Sequence, residues 1–218
     1  MNSSFKRLTW AALTAAALAS QLTGCFPLVA GGAVMTGFVA TDRRTSGAQV
    51  EDEGIELRAV NRVHEALGDG VHLNVTSYNR QVLLTGEATT AEAKQKVEQI
   101  VSRVENVRGV HNEMVVGLPS SLSDRSNDAL ISGKVKASLV DARDLISNAF
   151  KVVTERRVVY LMGRVTQREA NRATEIARGV DGVQKVVRVF EVISEEELKR
   201  QLPSQPDKAE AAQVKNGS

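Results

Sequence analysis

Apolar and polar side chains alternate along two parts of the chain, and each part is predicted to form a β-hairpin. The first hairpin turns at Ser77–Arg80 and the second near Glu155–Arg157. The apolar residues at every second position are Val71, Leu73, Val75, Val82 and Leu84 in the first hairpin, and Phe150, Val152, Val159 and Leu161 in the second. A period of two places these side chains on one face of a sheet, so each hairpin should be half buried.

Helical periodicity flanks the hairpins. Before the second one, Ile131, Val135 and Leu139 fall on one helix face, and Asp128 is the predicted N-cap. Helices after the hairpins are predicted at Ala91–Val104 and Gln167–Gly179. A final strand closes each unit, with apolar positions Val110, Met114 and Val116 or Val186, Phe190 and Val192.

The two parts are copies of one unit. Val82–Gly86 matches Val159–Gly163 at an offset of 77 residues, and Val104–Val107 matches Val180–Val183 at an offset of 76. Two copies of this length indicate tandem domains rather than a solenoid. Each has the order α-β-β-α-β, and a three-stranded sheet covered on one face by two helices buries its apolar stripes. The predicted fold class is therefore α+β.

The start of the chain has the pattern of an export signal. Lys6 and Arg7 precede an apolar run, Leu8–Leu18, of about 11 residues, well short of the roughly 20 that span a bilayer. Leu22–Cys25 resembles the lipobox of bacterial lipoproteins, which implies that Cys25 is acylated. A plain secretory peptide is the alternative, but Cys25 is the only cysteine and a lone thiol in an exported protein needs an explanation. Phe26, where Asp would resemble an inner-membrane retention signal, favours the periplasmic face of the outer membrane.

These features divide the chain into six segments. The predicted segments are the signal peptide (1–24), the lipidated cysteine with an apolar and then polar linker (25–49), domain 1 (50–117), a linker (118–125), domain 2 (126–193), and a short helix with a disordered tail (194–218). The apolar stretch 26–40 is a tether or a contact for the membrane or a partner. It is too short to cross a bilayer.

The repeat resembles the BON domain, a small module of exported bacterial proteins. The resemblance rests on the strands that end in Gly86 and Gly163, the helix after each, and Gly182-Val183 before the last strand; Asn106 replaces this glycine in the first copy. A lipobox before two such units resembles the dual BON-domain outer-membrane lipoproteins. That resemblance implies a role in outer-membrane integrity, binding of anionic phospholipid through domain 2, and enrichment at the division site.

The charge of the two copies differs although their pattern is shared. Residues 50–117 hold 7 Lys/Arg and 11 Asp/Glu, a net charge of −4, whereas residues 126–193 hold 12 Lys/Arg and 8 Asp/Glu, a net charge of +4. A basic surface gains about 1 kcal/mol for each Lys or Arg near anionic lipid. The difference therefore favours phosphatidylglycerol or cardiolipin as partners of domain 2.

Five residues of domain 2 are the candidate phospholipid-binding residues. They are Leu130, Lys134, Lys136, Arg164 and Arg168. Leu130 and Lys134 fall outside the core face of their helix, where an apolar side chain beside lysines is typical of an interfacial wedge. The resemblance implies an aromatic anchor at the position of Leu130. In the alternative interpretation, Leu130 packs on the linker or on domain 1, and the basic side chains are ordinary surface groups.

No pattern in the sequence indicates an enzyme, a cofactor or a metal site. The three histidines, His64, His72 and His111, lie in the first copy without metal-ligand spacing, and no phosphate loop or nucleophile motif is present. Domain 2 also lacks the aromatic platform of a nucleic-acid-binding protein. The main alternative function is a periplasmic scaffold whose domains bind an envelope assembly partner.

Overall fold

A computed structural model describes residues 42–201 of the chain. The predicted signal peptide, Cys25, the apolar segment 26–40 and the tail from residue 202 lie outside the described residues. Of the helices within residues 42–201, none is long and apolar enough to cross a membrane.

Domain 1 consists of two helices and a sheet three strands wide. Its elements are α1 (Ser46–Leu67), β1 (Val71–Tyr78), β2 (Gln81–Ala88), α2 (Ala91–Val101), β3 (Gly109–Asn112) and β4 (Val115–Val116). The central strand is β2, to which β1 pairs antiparallel, while β3 and β4 pair with it in parallel, one after the other. Apolar side chains of α1 and α2 pack against those of β2 to form the core.

Domain 2 repeats this arrangement. Its elements are α3 (Leu122–Asp141), β5 (Phe150–Glu155), β6 (Val158–Thr166), α4 (Gln167–Arg178) and β7 (Lys185–Ile193), followed by a C-terminal helix α5 (Glu195–Gln201). Here β6 is central, with β5 antiparallel and β7 parallel to it. The predicted fold class, two tandem α-β-β-α-β domains, is confirmed.

The first helix of each domain is buried at corresponding positions. These are Asp52, Ile55, Ala59 and Val63 in α1 and Asp128, Ile131, Val135 and Leu139 in α3. The constant offset of 76 residues allows the exposed faces of the two helices to be compared position by position.

Asp128 is not a helix cap, contrary to the prediction. The N-cap of α3 is Ser121, seven residues earlier, because the hydroxyl of Ser121 accepts the N–H of Asp124 and the Asp124 carboxylate accepts the N–H of Ser121. This capping box starts the helix inside the segment predicted as a linker. In the same way α1 begins at Ser46, inside the predicted linker 25–49.

The buried carboxylate of Asp128 instead holds the hairpin turn of domain 2. It accepts the backbone N–H groups of Arg156 at 2.7 Å and Arg157 at 2.9 Å. Asp52 does the same in domain 1, where its partners at 2.8 and 2.7 Å are Asn79 and Arg80. All four turn residues have positive φ, between 49° and 68°, as a two-residue hairpin turn of type I′ requires.

The last strand of domain 1 is interrupted, although the sequence predicted one strand through Val110, Met114 and Val116. The side chain of Asn112 accepts the N–H of Met114 at 3.3 Å, which turns the chain out of the ladder. Met114 is then buried in the core, and pairing with β2 resumes at β4.

Two strand glycines are needed because backbones approach closely. A Cβ at Gly86 would lie 2.1 Å from the carbonyl oxygen of His72, and one at Gly163 would lie 2.4 Å from that of Ala149. Both distances are shorter than a van der Waals contact, so a larger residue would force the strands apart.

The two sheets pack on each other through the faces that their helices leave free. Tyr78 and Leu83 of domain 1 are buried against Tyr160, Met162 and Val189 of domain 2. The domains therefore share a third apolar cluster, which fixes the relative packing that the sequence left open.

Candidate lipid-binding surface and domain junction

One side of α3 carries apolar side chains that the fold leaves exposed. Leu122, Leu130 and Val140 are 80, 67 and 66% exposed. At 100° per residue they lie within one side of the helix, away from the buried positions. We call these three residues the α3 stripe. Leu130 is thus exposed rather than packed on the linker or on domain 1.

The predicted lysines flank the α3 stripe. Lys134 follows Leu130 by one helical turn, and Lys136 precedes Val140 by one turn. The ammonium of Lys134 lies 3.3 Å from the carboxylate of Asp181, and both side chains are exposed. Such a pair contributes at most about 1 kcal/mol, so the lysine is available to a phosphate group.

The two predicted arginines have different surroundings. Arg168 is exposed in the first turn of α4, and its guanidinium donates to the carbonyl oxygen of Asp144 at 3.3 Å, just after α3. Arg164 is half-buried and paired with Glu191 at 2.9 Å and with Glu197. The structure therefore places Arg168 near the end of α3, and it places Arg164 in an ion-pair network at the edge of the sheet.

An open surface groove of about 600 Å³ lies between the outer sides of α3 and α4. Its lining includes the apolar Ala137, Ile176 and Val180, the basic Lys134 and Arg172, and the acidic Glu175 and Asp181. Arg172 was not among the residues predicted from the sequence to bind phospholipid, although its spacing of four residues from Arg168 places both on one helix face.

The three positions of the α3 stripe hold no leucine or valine in domain 1, although α1 exposes Val50, Leu57 and Val60 at other positions. At the constant offset of 76, Leu122, Leu130 and Val140 correspond to Ser46, Gly54 and His64. Two helices with the same buried pattern thus carry different residues at these three positions, so folding does not require the stripe.

Glu87 connects the two domains. Its buried carboxylate lies 2.8 Å from the Arg156 guanidinium of domain 2 and 2.8 Å from Nδ1 of His72. Burial alone would raise the pKa of Glu87, but the hydrogen bonds with Arg156 and His72 outweigh it and hold this pKa below the usual range.

Glu155 is a second buried carboxyl at the junction. Burial raises its pKa, and the hydrogen bond from the Asn74 amide at 3.0 Å offsets this only in part. The nearby charges of Glu87 and Asp128 raise the pKa of Glu155 further.

The segment that enters domain 1, residues 42–45, is bound to domain 2 through Arg43. We call this segment the strap. The Arg43 guanidinium donates to both carboxylate oxygens of Glu169 at 2.7 Å and to the carbonyl oxygen of Arg164 at 3.0 Å. Burial would raise the pKa of Glu169, but the bonds from Arg43 and the N–H of Thr166 hold it below the usual range.

The strap is also bound to domain 1, through Arg44. Its guanidinium lies 2.9 Å from the carboxylate of Asp52 and stacks 4.3 Å from the ring centre of Tyr78. The strap therefore holds both domains at their junction. Sequence reasoning missed it, since two adjacent arginines in a polar linker carry no periodicity.

The three histidines are dispersed, with His64 near the end of α1, His72 in β1 and His111 in β3. Across residues 42–201, no group of three or more His, Cys, Asp or Glu is placed to hold a metal ion.

Comparison with known proteins matches both domains. The BON domain profile matches residues 52–117 and 127–194. Outer membrane lipoprotein DolP of Haemophilus influenzae is 36% identical over 176 residues, which cover 79% of this chain and 90% of that protein. The 21 kDa hemolysin of Actinobacillus pleuropneumoniae is 34% identical over 154 residues, covering 70% and 79%. Osmotically-inducible protein Y of Escherichia coli is 33% identical over 101 residues, covering 46% and 41%.

Proposed function

Because this chain belongs to the BON-domain family, we propose that it binds anionic phospholipid through the α3 stripe and the lysines beside it. The predicted localisation, lipid-anchored at the outer membrane, is confirmed. Phosphatidylglycerol and cardiolipin are the proposed lipids, and Cys25 is the proposed site of acylation. We further propose that binding supports outer-membrane integrity at division sites.

The observation that carries this proposal is the charge beside the exposed apolar side chains of α3. Both helices bury the same four positions and expose apolar residues on their outer sides. In α1 the exposed Leu57 and Val60 lie beside the acidic Glu53 and Glu56, whereas in α3 the exposed residues lie beside Lys134 and Lys136. Exposed apolar side chains flanked by lysines suit the boundary between lipid headgroups and acyl chains. Neither the core nor the domain junction uses them.

The charge of the domains agrees with this choice of surface. An anionic bilayer attracts a domain with a net charge of +4 and repels one with −4. Binding by a few lysines and arginines is weak and sensitive to salt on its own. An acyl anchor on the same chain raises the local concentration and makes weak binding sufficient.

The proposed lipid-binding residues are Leu130, Lys134, Lys136 and Arg168, with Leu122, Val140 and Arg172 added from the structure. Arg164 is left out, because two carboxylates already neutralise its guanidinium and the carbonyl of the same residue accepts a bond from Arg43. Its contribution is to hold β6, β7 and α5 together.

The test measures binding of the exported chain, without acyl groups, to vesicles with and without phosphatidylglycerol or cardiolipin at low and high salt. Variants of the whole chain are used because separating the domains would expose Tyr160, Met162 and Val189. This apolar face would adsorb to vesicles non-specifically and obscure binding through α3. Lys134→Glu should weaken binding to anionic vesicles by about ten- to thirty-fold, which corresponds to about 1 kcal/mol for each of the two charge changes.

Lys96→Glu, the same charge change on an exposed position of α2, is the matched control and should alter binding little. Equal affinity for neutral and anionic vesicles at low salt would disprove the proposal. So would equal effects of the two substitutions.

A further inference from the structure

A second exposed apolar surface lies on domain 1, beside the outer strand of its sheet. Leu57 and Val60 of α1 are 63 and 42% exposed. Together with Leu73 and Val75 of β1 they line a groove of about 600 Å³, of which β5 forms the far wall. We call it the β1 groove.

The β1 groove includes a free strand edge. On the side of β1 away from β2, the N–H of Ser77 donates to the Glu56 carboxylate at 2.7 Å and its carbonyl oxygen accepts from Lys151 at 3.2 Å. Hydrogen-bonding direction alternates along an antiparallel strand, so Leu73 and Val75 present their N–H and C=O groups on this same edge. These groups can pair with an added extended chain.

The charge at the β1 groove is acidic. Glu53 and Glu56 of α1 and Glu155 of β5 line it, and domain 1 as a whole has a net charge of −4. Lys151 is bonded to Glu56 at 2.9 Å, which closes the groove at its Ser77 end. Such a surface attracts lysine and arginine side chains and repels lipid phosphates.

The fold does not require these apolar residues. At the offset of 76, Leu57 and Val60 correspond to Gly133 and Lys136 of α3. Domain 2 thus folds with a glycine and a lysine where domain 1 exposes a leucine and a valine.

We propose that the β1 groove binds an extended basic and apolar segment of another protein, which adds to β1 as a further strand. The segment pairs with the backbone of Leu73 and Val75, and it packs an apolar side chain against Leu57 and Val60. Its lysines or arginines face the carboxylates of the groove. This binding is independent of lipid binding through α3, because no residue of α3 lines the β1 groove.

The test selects peptides from a random library displayed on phage, with the exported chain, without acyl groups, as the target. The enriched peptides should alternate apolar residues with lysine or arginine. Synthetic copies of them should shift the amide NMR signals of Leu73 and Val75. The double variant Leu57→Ser, Val60→Ser should bind these peptides at least tenfold more weakly. Its binding to anionic vesicles should stay at the wild-type level.

Val50→Ser is the matched control, since Val50 lies on the same helix, is 70% exposed and is not part of the groove. It should leave peptide affinity unchanged. The proposal is overturned if no peptide is enriched, if enriched peptides are acidic, or if they bind the double variant as tightly as the wild type. Loss of vesicle binding in the double variant would instead assign the surface to the membrane.

Discussion

The guanidinium of Arg43 and the carboxylate of Glu169 form a two-point ion pair with both N–O distances at 2.7 Å, and their side chains are only 6 and 3% exposed. Glu169 also closes the capping box of α4 with Thr166, so one carboxylate both starts a helix and holds the strap. The chain that leads from Cys25 therefore joins the fold at a fixed contact with domain 2.

Arg43→Ala should lower the free energy of unfolding by about 3 kcal/mol, because it leaves the Glu169 carboxylate buried without its cation. Urea denaturation of the whole chain measures this. Lys134→Ala removes an exposed ion pair and is the control, with an expected change below about 0.5 kcal/mol. Equal stability of the two variants would show that the strap does not hold the domains.

Glu155→Gln should raise the free energy of unfolding at neutral pH. Because the pKa of Glu155 is raised in the folded state, ionisation there costs more than in the unfolded chain. The stability linked to its protonation is present below the ordinary pKa of 4.5 and is lost as the pH rises through the folded value. Glutamine does not ionise, so this loss of stability does not occur in the variant. Its side-chain oxygen still accepts the hydrogen bond from the Asn74 amide.

Urea denaturation across pH distinguishes this effect from a change in packing. The advantage of Glu155→Gln should vanish below pH 4.5, where both states of the wild type bind the proton. A gain that is the same at every pH would contradict the assignment.

The helix-facing side of each sheet could be predicted from the sequence because its signal is local. In β1, Leu73 and Val75 alternate with the polar His72, Asn74 and Thr76, and the repeat supplies the pattern a second time. The opposite side could not be predicted. Leu83 interrupts the alternation and makes β2 apolar on both faces, yet its partners Tyr160 and Met162 belong to the other domain.

The wrong assignment of Asp128 has a similar cause. Aspartate before an apolar helix face is typical of an N-cap, and only the folded chain shows its carboxylate against the N–H groups of Arg156 and Arg157. The strap was missed for the same reason, since Arg43 and Glu169 are 126 residues apart. The positions of Leu130 and Lys134 outside the core could be predicted, because the helical period alone determines which residues of a helix face the core.

Asp128→Ala should lower the free energy of unfolding by about 2–3 kcal/mol, because two turn N–H groups lose a buried acceptor. Asp124→Ala, which removes an exposed capping carboxylate from the same helix, should lower the free energy of unfolding less. Thermal and urea unfolding measure both. A smaller loss for Asp128→Ala than for Asp124→Ala would mean that the turn does not depend on this contact.

Leu130→Trp should strengthen binding to anionic vesicles, and Leu130→Ser should weaken it. An indole at this exposed position places an amphipathic ring at the headgroup level, where tryptophan is favoured over leucine. Since Leu130 is 67% exposed, neither change disturbs the core, and the free energy of unfolding should stay within about 0.5 kcal/mol of the wild type. The tryptophan also reports its own environment, because its fluorescence shifts to shorter wavelength on insertion. Unchanged binding of both variants, without a fluorescence shift, would place the contact at the lysines alone and remove Leu130 from the lipid-binding surface.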